Sequence, residues 1–198
     1  MKRPFILGLT GSIGMGKSAV AAMFHGLDVP VFDADAAVHH LQGADGALLP
    51  AIEAAFPGST GANGVDRAKL GAAVFGDAAA LKRLEAIVHP AVGAMRAAFL
   101  KDNAKRPLIV FDIPLLFEKG SEGQVDAVLV VSASAQAQRA RVMARVGMTE
   151  EKFTQILKLQ TPDAEKRARA DFVIDTGTSL AETRHEVAKL VHHLTIEE

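Results

Sequence analysis

The sequence has no cysteine, tryptophan or tyrosine among its 198 residues. Without cysteine the chain cannot form a disulfide, an iron–sulfur cluster, a thiolate-bound zinc site or a thiol nucleophile. It also has no apolar run that approaches the roughly 18 residues needed to cross a bilayer. These absences are compatible with the reducing cytoplasm, which is where we expect this protein.

Neither sign of charge is in excess, because 22 lysines and arginines face 23 aspartates and glutamates and the formal net charge is −1. General nucleic-acid and membrane-surface binders depend on clustered excess lysine and arginine, so we expect neither kind of partner. Hydrophobic residues make up 49% of the chain and charged residues 23%, which excludes disorder. The length suits a single domain over residues 1–198 that carries an insertion.

Short apolar runs of strand length alternate with helical patterns along most of the chain. These runs are Pro4–Thr10, Val29–Phe32, Leu108–Ile113, Val125–Val131 and Phe172–Ile174. Uninterrupted apolar runs suit strands that are covered on both faces, as in a parallel sheet. The pattern therefore predicts an α/β fold.

The alternation stops between Asp33 and Arg106, where about 70 mostly helical residues are rich in alanine and leucine. A crossover between parallel strands needs only a dozen or so residues. The excess predicts a helical, substrate-binding insertion at about residues 36–105. A second helical stretch, broken near Gly147, predicts a mobile lid at about residues 134–160. Ser179 and Glu182 form a capping-box pattern at the start of a last helix.

The strongest motif is a glycine-rich loop between the first apolar run and a helical pattern. Residues 11–18 match G-x-x-x-x-G-K-[ST], a phosphate-binding loop, in full. Backbone N–H groups of such a loop, together with the helix N-terminus, point at phosphate oxygens. We expect Lys17 to reach the β- and γ-phosphates of ATP and the Ser18 hydroxyl to bind Mg²⁺. The predicted ATP-binding residues are Gly11, Ser12, Ile13, Gly14, Met15, Gly16, Lys17, Ser18 and Ala19.

Acidic residues follow two of the apolar runs. Asp33, with Asp35 close behind it, comes after the second run, at the end of a strand where open α/β sheets bind their ligands. There Asp33 can accept the proton of an acceptor hydroxyl or hold Mg²⁺, and it can also cap the next helix. Asp112 follows four apolar residues, as the metal-binding acid of a Walker B strand does, or it bonds the following turn. Both interpretations of Asp112 stay open.

Basic residues cluster in the second half of the chain. Arg141 and Arg145 are four residues apart in one predicted helix and share a face, whereas Arg139 points elsewhere. The pair could stabilise the charge of a transferring phosphoryl group, or it could form a solvated basic face. Lys166–Arg169 indicates mainly a solvated turn of helix, one of whose cations could reach the nucleotide. His89 is either a packed or capping histidine or part of a site.

Taken in order, these motifs resemble the dephospho-CoA kinase family. The resemblance spans nearly the whole chain and rests on the segments Gly8–Ser18, Val31–Asp35, Ile87–Pro90, Pro114–Glu118 and Ala170–Asp175, with Gln138, Arg141, Arg145, Gln160 and Lys166. The phosphate loop is common to many families. The Asp-Ala-Asp, His-Pro and Pro-Leu-Leu-Phe-Glu segments in this order are much more specific.

The resemblance implies transfer of the ATP γ-phosphate to the ribose 3′-hydroxyl of dephospho-CoA, which gives CoA and ADP and completes coenzyme A synthesis. It implies a three-layer P-loop kinase core, a helical lobe for dephospho-CoA and a lid. By position, Asp33 looks like the catalytic base, and Arg141 and Arg145 look like lid cations that act with Lys17. The acceptor then contacts Asp33, Asp35, His89 and an apolar wall formed by Leu115, Leu116 and Phe117. Thr176 stands where many members have asparagine, so the adenine contacts are open.

Two other functions are weighed against this one. A shikimate kinase also pairs a phosphate loop with Asp-x-Asp after the second strand, but it lacks so long a helical insertion. A regulatory nucleotide switch needs no acceptor, whereas the position of Asp33 favours transfer, and the Asn-Lys-x-Asp sequence of GTPases is absent. The sequence is compatible with a monomer or a small homo-oligomer.

Overall fold

The computed structural model describes residues 3–196, which form an α/β architecture. The strands are β1 Phe5–Thr10, β2 Val31–Asp33, β3 Thr60–Gly61, β4 Gly64–Val65, β5 Leu108–Asp112, β6 Ala127–Ser132 and β7 Phe172–Asp175. The helices are α1 Lys17–Gly26, α2 Ala34–Leu41, α3 Leu49–Ala55, α4 Arg67–Val74, α5 Ala78–Asp102, α6 Ala135–Met143, α7 Glu150–Leu159, α8 Asp163–Arg169 and α9 Leu180–Ile196. A short 3₁₀ turn covers Glu122–Gln124.

Five of the strands form one parallel sheet in the order β2-β5-β1-β6-β7, and helices flank it. The central strand β1 pairs in parallel with β5, where Leu9 lies opposite Asp112, and with β6, where Thr10 lies opposite Val130. The predicted α/β fold with a parallel sheet is confirmed. Each predicted apolar run overlaps one of these five strands, with ends that shift by one or two residues.

The apolar runs are continuous because the sheet is covered on both faces. In β6, Leu129 and Val131 pack in one apolar cluster with residues of α1 and α9, while Val128 and Val130 pack in another with Leu116. Successive side chains of a strand point to opposite faces, so both sets must be apolar when both faces are buried.

The last helix, α9, begins at the predicted capping box. The Ser179 backbone N–H donates to Glu182 Oε2 at 2.9 Å, and the Glu182 N–H donates to Ser179 Oγ at 3.2 Å. This reciprocal pair satisfies two N–H groups that the first turn leaves without partners, and it also lowers the pKa of Glu182. Further along α9, the buried Val187 and Leu190 join the core that α1 covers.

The chain divides into two compact units, and the second is the segment Asp33–Asp102. The first unit comprises the residues up to Phe32 and from Asn103 onward. The second unit has its own core around Ile52, Phe56 and Leu70, against which the long helix α5 packs. It contains residues 36–102 of the insertion predicted at about residues 36–105, and it is mostly helical. The two-residue strands β3 and β4 pair as an antiparallel hairpin, for which no strand was predicted.

Among the described residues 3–196, no helix has the length and hydropathy that a membrane-spanning segment requires.

Candidate active site

The phosphate-binding loop connects β1 to α1, as its motif predicts. Gly14 and Gly16 have φ angles of 77° and 87°, in the left-handed region that favours glycine. A β-carbon at Gly14 would lie 2.5 Å from Val142 Cγ2, so the space allows no side chain either. The two glycines therefore fix the path of the loop, and Gly14 also permits its close contact with α6.

The N-terminus of α1 presents free hydrogen-bond donors. Gly16 is the N-cap residue and supplies no side-chain cap. The N–H groups of Lys17 and Ser18 have no hydrogen-bond partner within residues 3–196, and the Ser18 side chain is exposed. Unpaired N–H groups at the positive end of a helix dipole form a binding site for an anion such as a phosphate.

Lys17 is held by an acid at the end of the neighbouring strand. Its ammonium group forms an ion pair with Asp112 Oδ1, and the side chains are 19% and 4% exposed. Because β1 and β5 are adjacent and parallel, the end of β5 lies beside the loop that leaves β1. Asp112 thus contacts Lys17 directly, an arrangement that neither sequence interpretation of Asp112 contained.

Arg141 is the predicted lid cation that contacts the phosphate loop. Its Nη2 donates to the Thr176 carbonyl at 2.6 Å, and its Nη1 donates to Thr176 Oγ1 at 3.2 Å and to the Gly14 carbonyl at 3.5 Å. Thr176 Oγ1 in turn donates to the Met15 carbonyl at 2.8 Å. Thr176, which is buried, therefore joins the loop to Arg141, a role that the sequence analysis missed.

Arg145 lies outside the helix that carries Arg141. Helix α6 ends at Met143, so Arg145 lies in the turn before α7, and the expectation of one shared helix face is wrong. Gly147, with a φ of 75°, supports this turn. The Arg145 side chain is exposed and has no side-chain hydrogen bond or ion pair within the described part of the chain. Arg139, as expected, points elsewhere and pairs with Glu150.

The acidic motif after β2 begins the second unit. Asp33 is the N-cap of α2, and its Oδ1 accepts a hydrogen bond from the Ala36 N–H at 2.9 Å. Asp35 lies in the first turn of α2, and both side chains are exposed. His89, also exposed, lies in the middle of α5 beside Pro90. The capping role of Asp33 is confirmed, and all three side chains are accessible.

The predicted apolar wall after β5 is only partly accessible. Leu116 is 0% exposed and Phe117 is 5% exposed, because both pack against Val128 and Val130 of the sheet. Leu115 is 36% exposed. Of the three predicted residues, therefore, Leu115 is the one that a ligand could contact, while the other two support the sheet.

Lys166 is buried, which corrects the prediction that Lys166–Arg169 is mainly a solvated turn. Its side chain is 0% exposed, and its ammonium group lies 2.8 Å from Glu118 Oε1, which also accepts the Thr161 N–H at 2.8 Å. Burial pushes the pKa of Glu118 upward, but the bonds from Lys166 and from backbone N–H groups hold that pKa below its usual range. Sequence charge alone gave no signal of this burial.

Two glutamines contact the same residue of the phosphate loop. Gln138 Nε2 donates to the Ile13 carbonyl at 2.8 Å, and the Ile13 N–H donates to Gln160 Oε1 at 3.0 Å. Both glutamines belong to the residues on which the family resemblance rests, although the sequence analysis assigned them no role.

Within residues 3–196, no group of three or more histidine or acidic side chains could hold a metal ion by itself. Mg²⁺ usually keeps several waters and phosphate oxygens and takes one or two protein ligands. Beside the phosphate loop, the exposed Ser18 hydroxyl and the carboxylate of Asp112, which pairs with Lys17, are oxygen groups of this kind. Asp33 offers an exposed carboxylate in the second unit.

Comparison with known proteins shows the family to which this chain is related. A model of the dephospho-CoA kinase family matches residues 5–182. The dephospho-CoA kinase of Novosphingobium aromaticivorans is 70% identical over 191 residues, which cover 96% of this chain and 95% of that protein. The solved dephospho-CoA kinase from Campylobacter jejuni is 25% identical, with a TM-score of 0.64 over 96% of this chain and 97% of that one. The crystal structure of a Thermus thermophilus protein gives 37% identity and a TM-score of 0.85 over 98% of this chain and 100% of that one. The chain therefore belongs to the dephospho-CoA kinase family, whose members are kinases that catalyse the last step of coenzyme A synthesis.

Proposed function

We propose that this chain transfers the γ-phosphate of ATP to the ribose 3′-hydroxyl of dephospho-CoA and releases CoA and ADP. The observation that carries the proposal is the phosphate loop with free N–H groups at the start of α1 and with Lys17 held at the end of β5. The dephospho-CoA acceptor follows from family membership. The shikimate-like alternative has no comparable support, since relatives that are 70% and 57% identical over almost the whole chain are named dephospho-CoA kinases.

The loop and Lys17 bind the phosphates of ATP. The free N–H groups of Lys17 and Ser18 donate to phosphate oxygens at the positive end of the α1 dipole. An ammonium group has three N–H donors, so Lys17 can keep its contact with Asp112 and still donate to the β- and γ-phosphates. The Asp112 carboxylate thus orients the lysine side chain toward the loop.

The arginines stabilise the negative charge that spreads over the transferring group. Arg141 already lies against the loop, and its fork of five N–H groups is large enough to bond Thr176 and present further donors to a phosphate. Arg145 is exposed in the turn between α6 and α7, where a change in that turn brings it to the nucleotide. This assigns a fixed role to Arg141 and a mobile one to Arg145 within the lid at residues 134–160.

Asp33 acts as the general base. It ends β2 at the carboxyl edge of a parallel sheet, which is where ligands of open α/β sheets bind. Its carboxylate accepts the proton of the ribose 3′-hydroxyl while that oxygen forms a bond to the γ-phosphorus and the bond to the β-phosphate oxygen breaks. ADP is the leaving group, and the proton passes from Asp33 to solvent.

Mg²⁺ fits the oxygen groups that the chain offers. The Ser18 hydroxyl lies in the first turn of α1, and Asp112 is beside the lysine of the same loop. We assign the Ser18 hydroxyl as the direct ligand of the metal. The carboxylates of Asp33 and Asp112 are the acids that would hold its water shell. When bound, Mg²⁺ neutralises charge on the β- and γ-phosphates.

The second unit binds the acceptor. A small ring would not require a segment of about 70 residues where a dozen or so suffice for the crossover, whereas dephospho-CoA is large and amphipathic. Asp35 and His89 are exposed polar groups of this unit, and Leu115 is the exposed apolar residue after β5. We assign these three residues to acceptor binding. The proposed reaction requires no nucleic acid, membrane or partner protein, and it is compatible with a monomer or a small homo-oligomer.

An acceptor panel tests the proposed function. The purified protein is incubated with ATP, Mg²⁺ and one of dephospho-CoA, shikimate or a nucleoside monophosphate, and phosphorylated product and ADP are measured by mass spectrometry and a coupled assay. We expect equimolar CoA and ADP with dephospho-CoA and no product with the other acceptors. A K17M variant reports background turnover. Turnover of another acceptor, or ADP release without any acceptor product, would contradict the proposal.

A further inference from the structure

Two side chains of the predicted lid hold the phosphate loop at Ile13. Gln138 lies in α6, and Gln160 directly follows α7. One donates to the Ile13 carbonyl and the other accepts from the Ile13 N–H, at 2.8 and 3.0 Å. We propose that Gln138 and Gln160 are positioning residues, a clamp that fixes the phosphate loop in the conformation that binds ATP.

The two bonds make opposite chemical demands. The carbonyl oxygen of Ile13 requires a donor, and its N–H requires an acceptor. Glutamine carries one of each in its amide, and each of the two side chains presents the end that its partner needs. Because Ile13 precedes the helix, no helical hydrogen bond satisfies these groups, and the lid glutamines take that place.

The position of Gln160 is itself anchored. The next residue, Thr161, donates its N–H to Glu118 Oε1 at 2.8 Å, and Glu118 forms the buried ion pair with Lys166. Gln138 is buried, with only 6% of its surface exposed. The backbone that carries each glutamine is therefore held in place by its own contacts. The two side chains consequently restrict the conformation of the loop.

The clamp acts on ATP binding more than on the chemical step. A loop that already has its binding conformation loses little conformational freedom when the phosphates arrive. Without the clamp, binding must also order the loop, so the Kd and KM for ATP rise. The proton transfer assigned to Asp33 does not involve Ile13, so kcat changes less than KM does.

The test compares the same substitution at the two positions. Gln160→Glu keeps an oxygen that accepts from the Ile13 N–H. Gln138→Glu replaces a donor by a carboxylate that faces a carbonyl oxygen. Each adds one negative charge near the loop, but Gln138 is buried and Gln160 is half-buried, so the cost of burying the charge differs. Gln138→Leu, which loses the donor without adding charge, separates the hydrogen bond from that cost. Gln136→Glu in α6 and Gln155→Glu in α7 are controls, because both side chains are exposed.

We expect the ATP dissociation constant, measured by calorimetry with Mg²⁺, to rise about tenfold or more for Q138E and to stay within about threefold of wild type for Q160E and both controls. The KM for ATP follows the same order. If Q138E yields no folded protein, Q138L, which loses the donor without adding charge, is expected to raise the dissociation constant about fivefold.

Three results would overturn the clamp. They are equal weakening by Q138E and Q160E, a fall in Tm without any change in ATP affinity, and a change in kcat with KM unaffected. The measurement of ATP binding needs no acceptor, so failure of the clamp leaves the assignment of dephospho-CoA intact, and failure of the acceptor assignment leaves the clamp intact.

Discussion

Lys166→Met should strongly destabilise the folded protein. The substitution removes one partner of a buried ion pair and leaves the Glu118 carboxylate, only 13% exposed, without its cation. Apart from this ion pair, Lys166 Nζ has no hydrogen-bond partner within residues 3–196, and Glu118 Oε2 has none, so no other group can compensate. Breaking a buried pair in this way costs ~3–5 kcal/mol. For a chain of this length, that loss corresponds to a fall in Tm of about 6–20 °C.

Urea denaturation followed by circular dichroism measures the effect, since the chain has no tryptophan or tyrosine for intrinsic fluorescence. Lys158→Met is the matched control, because Lys158 is exposed at the end of α7, and we expect a change within about 0.5 kcal/mol. The combination Lys166→Met with Glu118→Gln removes the orphaned charge and keeps an acceptor for the Thr161 N–H. It should recover most of the loss. A single Lys166→Met variant within about 1 kcal/mol of wild type would refute this reasoning.

The pH dependence gives the same pair a second test. The pKa of Glu118 lies below its usual range in the folded protein, so the stabilisation is present above about pH 4.3, the unfolded value, and is lost as the pH falls through the folded pKa. Without Lys166, burial raises that pKa and the carboxyl group protonates more easily. The difference in the free energy of unfolding between wild type and Lys166→Met should therefore shrink from pH 7 to pH 4. A difference that stays constant over this range would contradict the role assigned to the Glu118 charge.

Three further variants test the phosphate loop, helix α4 and the start of the last helix. Gly14→Ala places a β-carbon 2.5 Å from Val142 Cγ2 at a φ of 77°, and left-handed strain with overpacking should cost about 2–5 kcal/mol. Gly71→Ala, at an exposed position of helix α4 with nothing within 4 Å of the new methyl group, should instead stabilise by about 0.5–1 kcal/mol. Ser179→Ala removes the N-cap of α9 and should cost about 1 kcal/mol in thermal unfolding. An unchanged free energy of unfolding in Gly14→Ala would contradict the tight contact with Val142. An unchanged free energy of unfolding in Ser179→Ala would contradict the capping role of Ser179.

Local features of this protein were predictable from sequence because their causes are local. The phosphate loop depends on glycines and a lysine at fixed spacing, and the structure shows the predicted strand, loop and helix. The capping box at Ser179 depends on residues three apart, and both of its hydrogen bonds are present. The α/β class followed from apolar runs that only a doubly covered sheet explains.

Contacts between distant residues were not predictable in the same way. Lys17 and Asp112 are 95 residues apart, and their pairing depends on which strand lies beside β1. The burial of Lys166 depends on Glu118, which lies 48 positions earlier in the sequence. Without knowledge of that partner, the positive charge of Lys166 suggested a solvated turn. Helix α6 ends at Met143, two residues before Arg145 and four before Gly147. The four-residue spacing of Arg141 and Arg145 did not reveal where the helix ends.

The most direct test of the proposed chemistry is the turnover of Asp33→Asn with dephospho-CoA, measured beside its affinity for ATP. Asparagine caps a helix as well as aspartate does, so α2 keeps its N-cap. The variant therefore removes only the carboxylate that is proposed to act as the general base. Asp35→Asn makes the same change two residues away. We predict that Asp33→Asn lowers kcat by about 10²–10⁴-fold with ATP affinity nearly unchanged, and that Asp35→Asn lowers it far less. Turnover of Asp33→Asn near that of wild type would show that Asp33 is not the base.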